Sequence, residues 1–212
     1  MTPYYETELG KLYHGDCLEI MPMLEPVDLV LTDPPYGIGG VWVGGKNHGW
    51  STTEIEKDGR NAWDLKPPRK ECFDLLRRIS SNQIVWGGNY FDLPVSRCWL
   101  LWVKPERGFT LAEAEMAWTS ADNVIRVFDR HRHTTNRKHP TQKPINLFIW
   151  CLEISWAKKA KTILDPFIGS GTTAIACERL NRRWIGIEIE EKYCEIAAKR
   201  IEKENQQLKL FA

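Results

Sequence analysis

The sequence predicts a mixed α/β domain in which a mostly parallel central sheet carries helices on both faces. The main observation is that short apolar runs rich in β-branched and aromatic residues alternate with amphipathic helical patterns. Strand–helix–strand units produce this order. The length of 212 residues and the apolar content of 42% suit a single domain, 1–212, with a sizeable core.

Five apolar runs have the length and the flanking breakers of buried strands. They are 27–32, 83–88, 98–103, 161–167 and 183–190. Two weaker candidates are 11–16 and 114–120.

Four segments between these runs have helical periodicity. They are 69–80, 144–155, 171–180 and about 191–205. In the first, the apolar face is formed by Cys72, Leu75, Leu76 and Ile79; in the last it is formed by Tyr193, Ile196, Ala197 and Ile201. Pro144 opens the second at a position in the first turn where proline is tolerated.

Two stretches lack a periodic pattern. Residues 37–62 are rich in glycine, and residues 126–143 carry a dense basic cluster. Long irregular segments in a compact domain are usually functional or poorly ordered. We therefore expect a macromolecular partner to be held at 37–62 and within 104–143.

Composition narrows the class of protein. The net charge of +1 means that any nucleic-acid footprint must be local. No apolar run approaches the roughly 20 residues that span a membrane. The six cysteines form no C-x-x-C pair, which favours reduced, mostly buried thiols in a cytoplasmic protein.

The most informative motif is "DPPY" at 33–36, directly after an apolar run. The prolines lack a backbone N–H and cannot continue a strand ladder, so the strand should stop at Thr32 or Asp33. The motif would then lie at the carboxyl end of a buried strand, where open parallel sheets bind ligands.

A second motif, "LDPFIGSGTTA", occupies 164–174 and joins a predicted strand to a predicted helix. Gly169, Gly171 and Ala174 match the dinucleotide fingerprint G-x-G-x-x-A, and Glu188 follows where a ribose-binding acid is expected. The pattern indicates an adenosine-like cofactor. A glycine turn that only packs a helix against a strand is the structural alternative.

In this order, the two motifs resemble the DNA amino-methyltransferases, which transfer a methyl group from S-adenosylmethionine to an exocyclic amine of adenine or cytosine. The catalytic motif precedes the glycine loop, as in the circularly permuted β group of that family. "GDCLEIMPML" at 15–24 and "HPTQKP" at 139–144 resemble two further family elements. The resemblance implies a Rossmann-like methyltransferase fold with a circularly permuted motif order.

The resemblance assigns catalysis to the tetrad Asp33, Pro34, Pro35 and Tyr36. The Asp33 carboxylate and the Pro34 carbonyl would accept the two N–H bonds of the target amine. A fixed anion would stabilise the charge that develops there. Tyr36 would stack on a base flipped out of the duplex.

The resemblance also implies a cofactor site. Glu188 would accept from the ribose hydroxyls, and Asp16, with Cys17 and Leu18, would meet the adenine ring. The methionine portion would be lined by Asp33, Asp165, Pro166, Phe167, Gly169, Ser170, Gly171, Thr172 and Thr173. Lys143 would approach the methionine carboxylate or, alternatively, a phosphate. S-adenosylhomocysteine would be the product.

For DNA we expect backbone contacts from Arg130, Arg132, Arg137 and Lys138. His131, His133 and His139 have no carboxylate or cysteine spacing typical of a metal site, so no metal is expected. Sequence-specific family members usually carry a sizeable target-recognition region, and neither candidate segment here is long. A bacterial, archaeal or phage origin and a cytoplasmic location follow from the resemblance, and a homodimer stays open.

The sequence therefore predicts a site-specific DNA methyltransferase that acts on the N6 amine of adenine. The Asp at the first position of the motif favours adenine, because Ser is commoner there in the cytosine enzymes. Open alternatives are N4 methylation of cytosine, methylation of a base in RNA, a nicotinamide oxidoreductase and a non-catalytic DNA-binding subunit. The oxidoreductase would leave 33–36 and the basic segment unexplained.

Overall fold

The computed structural model of the chain describes residues 1–38, 66–104, 112–129 and 143–210. In these residues, nine strands form one sheet: β1 (Tyr5–Glu6), β2 (Gly10–His14), β3 (Leu29–Thr32), β4 (Gln83–Trp86), β5 (Trp99–Val103), β6 (Ala114–Thr119), β7 (Arg126–Asp129), β8 (Thr162–Asp165) and β9 (Arg183–Glu188). The helices are α1 (Cys17–Ile20), α2 (Lys70–Ile79), α3 (Ile145–Glu153), α4 (Thr172–Arg179) and α5 (Glu191–Leu210), with 3₁₀ turns at Met21–Met23 and Gly88–Tyr90.

The spatial order of the strands is β1-β2-β9-β8-β3-β4-β6-β5-β7. Strands β2, β9, β8, β3 and β4 are parallel neighbours, and β5 pairs in parallel with β7. Only β1 and β6 run antiparallel to their neighbours in the described sheet. The predicted mixed α/β fold with a mostly parallel sheet is confirmed.

The helices cover both faces of the sheet because the central strands are apolar on both sides. In β3, Leu29 and Leu31 point into one apolar cluster, whereas Val30 belongs to the other. The first cluster also contains buried residues of α3, α4 and α5, and the second contains those of α1 and α2.

A topological switch point lies between β3 and β8, which pair in parallel through Leu29–Ile163 and Val30–Leu164. From β8 the chain passes through α4 to β9 on one side, and from β3 it passes through α2 to β4 on the other side. Such a divergence opens a crevice at the carboxyl ends of the two strands. Both motifs follow these strand ends.

Several predicted boundaries and segments need correction. The first four residues of 126–143 form β7, which was not predicted because it is an edge strand whose Val127 is exposed. The short elements β1 and α1 were also not predicted. Helix α3 begins at Ile145, one residue after Pro144, and α5 continues to Leu210. On α2, Phe73 is buried and Leu75 only half-buried.

All six cysteine side chains are buried and unpaired, at positions 17, 72, 98, 151, 177 and 194. Across the described ranges, no helix combines the length and the apolarity that crossing a membrane requires.

Candidate active site

The acidic residues singled out by the motifs line one edge of the sheet. Asp16 follows β2, Glu188 ends β9, Asp165 ends β8 and Asp33 follows β3. Because these four strands are parallel neighbours in that order, their carboxyl ends meet at the same edge. The chain fold therefore brings together residues that are far apart in sequence.

The strand β3 ends at Thr32 because the prolines that follow cannot donate to a ladder. Asp33 then lies beyond the last paired residue, and Pro34 behind it is buried. Within the described part of the chain, no hydrogen-bond donor lies on the Pro34 carbonyl oxygen. This carbonyl is available as an acceptor next to the Asp33 carboxylate.

The Asp33 carboxylate has two protein partners. Lys143 Nζ lies 2.7 Å from both Oδ1 and Oδ2, and the Tyr36 hydroxyl donates to Oδ1 at 2.7 Å. Lys143 also donates to the Tyr36 hydroxyl at 2.9 Å. The structure thus pairs Lys143 with Asp33 and Tyr36 of the 33–36 motif, and its contact with the methionine carboxylate stays a prediction.

A second acid holds the same lysine. Glu115 Oε2 lies 3.0 Å from Lys143 Nζ, and Glu115 Oε1 pairs with Lys104. Strand β6 runs antiparallel, so Glu115 near its start reaches the edge where the parallel strands end. Lys104 directly follows β5, which ends at that edge as well.

Burial and charge act against each other in this group. Burial raises the pKa of Asp33, and the ammonium of Lys143 limits that rise. Burial opposes the charge on Lys143, but Asp33 and Glu115 outweigh it and raise the pKa of the lysine. Burial also opposes ionisation of Glu115, yet Lys143 and Lys104 lower its pKa to about 2. Lys143 therefore favours the ionised form of Asp33.

The Tyr36 ring is part of an aromatic cluster. It stacks on Tyr90 with ring centroids 5.0 Å apart and an interplanar angle of 16°, and it meets Phe91 edge-on at 6.2 Å. Gly87 lies against the ring with φ of 68°, and a Cβ there would come within 2.1 Å of a Tyr36 ring carbon. The half-exposed Tyr90 extends this aromatic surface outward from the 33–36 motif.

The glycine loop is braced by Asp165. Its Oδ1 accepts from the Thr32 hydroxyl at 2.7 Å and from the Phe167 amide at 3.1 Å, and its Oδ2 accepts from the Thr173 hydroxyl. Burial raises the pKa of Asp165 to about 7, although these donors oppose the rise. The hydrogen bond from Thr32 links the glycine loop directly to the strand that precedes Asp33.

The two glycines of the loop have different surroundings. Gly171 has φ of +85°, and a Cβ there would meet Ala197 of α5 at 3.2 Å. Gly169 has φ of +51°, and a Cβ there would meet only the Phe167 carbonyl oxygen, at 4.0 Å. The loop needs Gly171 to pack against α5, whereas Gly169 borders open space into which a ligand could fit.

The hydroxyl groups of the loop already have partners. Thr173 donates to Asp165, and Ser170 Oγ accepts from Arg200 Nη1 of α5 at 2.6 Å. Thr172 begins α4 and is buried. Contact of Ser170, Thr172 and Thr173 with a methionine carboxylate stays a prediction. The amides of Phe167, Ile168, Gly169 and Gly171 already donate within the protein, so the donors for such a contact would be the amides of Ser170, Thr172 and Thr173.

Glu188 closes the loop from the neighbouring strand. Its Oε2 accepts from the Gly169 amide at 3.0 Å, and its Oε1 accepts from the Glu190 amide at 2.8 Å. Burial raises the pKa of this carboxyl group. A carboxylate has about four acceptor sites, so two remain for hydroxyl donors.

The segment after β2 lies beside Glu188. The Gly15 amide donates to the Glu188 carbonyl at 2.9 Å, and Asp16 caps α1 by accepting from the Leu18 amide at 2.8 Å. Cys17 is buried, whereas Asp16 and Leu18 are half-buried. Pro166 is buried and Phe167 half-buried on the other side of Glu188.

The predicted DNA-contacting residues Arg130, Arg132, Arg137 and Lys138 lie outside the described residues, as do 39–62 and the three histidines at 131, 133 and 139. In the described ranges, no group of three or more His, Cys, Asp or Glu side chains could hold a metal ion.

Sequence reasoning missed four residues at this edge: Lys104, Glu115, Tyr90 and Arg200. Lys104 and Glu115 could have been found, because Lys104 directly follows a short apolar strand and Glu115 lies within one. A charge buried in that way requires a partner. Tyr90 and Arg200 carried no such signal, since an aromatic residue in a turn and an arginine on a long polar helix are ordinary.

The structure places the Asp-Pro-Pro-Tyr motif and the glycine loop on adjacent strand ends of a mostly parallel sheet, as the resemblance to amino-methyltransferases implies. The family comparison agrees: the DNA methylase model N6_N4_Mtase matches residues 77–199, more than half of the chain. The chain belongs to this DNA methylase family.

Two bacterial relatives illustrate the match. The type II methyltransferase M.BglII of Bacillus subtilis is 41% identical in an alignment that covers 89% of this chain and 68% of the relative. The type II methyltransferase M2.LlaDCHI of Lactococcus lactis subsp. cremoris is 26% identical in an alignment that covers 95% of this chain and 92% of the relative.

Two solved structures share the fold. The PvuII DNA methyltransferase, described as cytosine-N4-specific, superposes with a TM-score of 0.60 at 17% identity, covering 96% of this chain and 93% of that one. The M1.HpyAVI–SAM complex gives a TM-score of 0.54 at 23% identity, covering 91% and 99%. At these identities the likeness concerns the fold.

Proposed function

We propose that this protein transfers a methyl group from S-adenosylmethionine to the N6 amine of an adenine flipped out of DNA. The observation that carries the proposal is the adjacency of two strand ends. Asp33 and Pro34, whose carbonyl has no donor among the described residues, follow β3, and the glycine loop follows β8. Thr32 is hydrogen-bonded to Asp165 between them. A methyl donor in the loop would lie beside an amine held by Asp33.

The strand order supports S-adenosylmethionine as the cofactor. Along the edge, Asp16, Glu188, the glycine loop and Asp33 follow one another, which matches adenine, ribose, methionine and the acceptor amine in turn. The open space at Gly169 and the two remaining acceptor sites of Glu188 fit such a molecule. When bound, the cofactor would supply the methyl group on its sulfonium.

The protein's part in the reaction is to hold the amine. The amine lone pair is delocalised into the base, so attack requires alignment and pyramidalisation. The Asp33 carboxylate and the Pro34 carbonyl would accept its two N–H bonds, and the carboxylate stabilises the positive charge that develops on nitrogen. Asp33 is then the nearest acceptor for the proton that the methylated amine loses.

Adenine is proposed over cytosine because the motif begins with Asp. The test is to incubate unmodified genomic DNA with the purified protein and isotopically methyl-labelled S-adenosylmethionine, and to analyse the nucleosides by mass spectrometry. Labelled N6-methyladenine is expected. Labelled N4-methylcytosine would show that the target base is cytosine and not adenine. Label incorporated into RNA but not into DNA would show that the substrate is RNA.

For DNA binding we propose that the basic segment contacts phosphates. Each phosphate contact contributes roughly 0.9 to the slope of log affinity against log salt. Replacing Arg132 and Arg137 by Ala should therefore flatten that slope by up to about two units. A salt titration by fluorescence anisotropy measures it, and an unchanged slope would move the interface to 37–62.

A further inference from the structure

The catalytic carboxylate is the first member of a row of four alternating charges. Asp33 pairs with Lys143, Lys143 with Glu115, and Glu115 with Lys104. The row crosses three strands, from the end of β3 to the start of β6 and the end of β5. Its formal charges sum to zero, so the row can exist away from water.

Burial makes this pairing obligatory. The side chains of Lys143 and Lys104 are 5% and 6% exposed. An ammonium removed from water requires a partner, and removing one member leaves an uncompensated charge. Glu115 lies between both lysines and is their shared counter-ion.

The contacts also fix the orientation of the catalytic carboxylate. Lys143 uses one acceptor site on each oxygen of Asp33, and Tyr36 uses a second site on Oδ1. With about four acceptor sites on a carboxylate, the remaining one is on Oδ2. That oxygen is the one that can accept an N–H bond from a target amine.

Lys143 nevertheless creates an electrostatic conflict. Its ammonium holds Asp33 in place, but a cation beside Asp33 opposes the positive charge that develops on the amine. Glu115 Oε2 lies 3.0 Å from Lys143 Nζ, close to the 2.7 Å that separates the lysine from Asp33. A second anion at that distance offsets the charge of the lysine without displacing it.

We propose that Glu115 is a positioning residue for methyl transfer: it holds Lys143 on Asp33 and offsets part of the lysine charge that would oppose the reaction. The inference rests on the proposed function, since it assigns Glu115 a part in the same reaction. Glu115 touches neither the base nor the cofactor in this scheme, so it acts through Lys143.

Glu115→Gln keeps the size of the side chain and removes its charge. We expect kcat to fall about tenfold or more, while KM for S-adenosylmethionine and for DNA stays within about twofold, because neither ligand contacts Glu115. The matched control is Asp122→Asn, which removes one acid of the exposed Arg97–Asp122 pair near β6 and should leave kcat unchanged. Thermal unfolding of each variant reports any loss of structure separately.

Two further variants separate compensation from simple packing. In a Lys143→Met background, Glu115→Gln should reduce kcat by a smaller factor than in the wild type, because no lysine charge remains to be offset. Glu115→Asp should retain more activity than Glu115→Gln, because it keeps the charge. Equal factors in both backgrounds, or Asp no better than Gln, would overturn the proposal.

The outcomes distinguish this proposal from the proposed function. A wild-type protein without methyl transfer to DNA would refute the proposed function. An active wild type with an equally active Glu115→Gln variant would refute the role of Glu115 alone.

Discussion

The ends of β3 and β8 place the same residue type in two different electrostatic environments. Both strands are buried, parallel and adjacent, and each is followed or ended by an aspartate. Asp33 pairs with an ammonium, whereas Asp165 is held by the hydroxyls of Thr32 and Thr173 and an amide. Hydrogen bonds from neutral groups leave Asp165 with a pKa of about 7. Burial raises the pKa of both aspartates; an ammonium opposes that rise at Asp33, whereas only neutral donors oppose it at Asp165.

The largest loss of activity is expected at the end of β3, where Asp33 pairs with Lys143. Asp33→Asn replaces the acceptor oxygen and the negative charge, so methyl transfer should fall by more than about a hundredfold. Affinity for S-adenosylmethionine should stay within about twofold, because the glycine loop and Glu188 are unaffected. Methyl-transfer assays and isothermal titration measure the two effects. Turnover within tenfold of wild type would remove Asp33 from the chemistry.

The opposite pattern is expected at the cofactor loop, where Glu188 at the end of β9 accepts from the Gly169 amide. Glu188→Gln should weaken cofactor binding by about tenfold, because one oxygen becomes a donor that cannot accept from a ribose hydroxyl. The control is Asp33→Asn, for which S-adenosylmethionine affinity is expected to stay close to that of the wild type. If Glu188→Gln binds S-adenosylmethionine like the wild type, the ribose is held elsewhere.

The two glycines sharpen the contrast within the loop. Gly169→Ala should reduce cofactor affinity, because its Cβ would enter the open space beside the loop. Both glycines have a left-handed φ, so alanine costs about 1–2 kcal/mol at either position. Gly171→Ala should lower the melting temperature further, because its Cβ also presses on Ala197, and should leave cofactor affinity closer to that of the wild type. Titration and thermal unfolding of both variants should show this exchange of effects; identical profiles would contradict it.

Tyr36 tests whether the ring or the hydroxyl matters at the end of β3. Tyr36→Phe keeps the stack on Tyr90 but loses the bonds to Asp33 and Lys143, so kcat should fall about fivefold, as for one net hydrogen bond. Tyr36→Ala should lose more, because the stacking surface is removed as well. Steady-state kinetics of both variants decide it: equal losses would mean that only the hydroxyl contributes.

A separate prediction concerns the dependence of stability on pH at the braced end, and it involves no ligand. The folded pKa of Asp165 lies at about 7, above the unfolded value of about 3.9. Asp165 thus favours the folded state below pH 4, and this contribution is lost as pH rises to 7, by up to about 1.4 kcal/mol per unit. In denaturant titrations from pH 4 to 8, Asp165→Asn should lack this decline; parallel curves for both proteins would contradict it.

Local patterns in the sequence predicted most of the sheet. Runs such as 29–32 and 162–165 are apolar on both faces and end at breakers, so their strands were identified within two residues. The strand β7 was missed because an edge strand with exposed apolar residues has no buried alternation to detect.

The candidate site was predictable only within each motif. The adjacency of Asp33 and Tyr36 follows from a spacing of three residues, but Lys143 lies 110 residues from Asp33. No periodicity links positions so far apart, and their contact depends on strand order. The charged Lys104 and Glu115 next to apolar strands indicated only that some partner must exist.

The strand order also governs when the sheet can be completed. On the side away from β1, β2 pairs only with β9, so the described amino-terminal hairpin joins the sheet through a strand that is translated some 170 residues later. During synthesis this hairpin lacks its pairing partner until β9 has been translated. Bringing β2 and β9 together closes a large loop, and the entropic cost of closing it slows folding. A nascent chain halted before Arg183 would expose the edges of both β2 and β8, so the aggregation risk should fall once β9 has been translated.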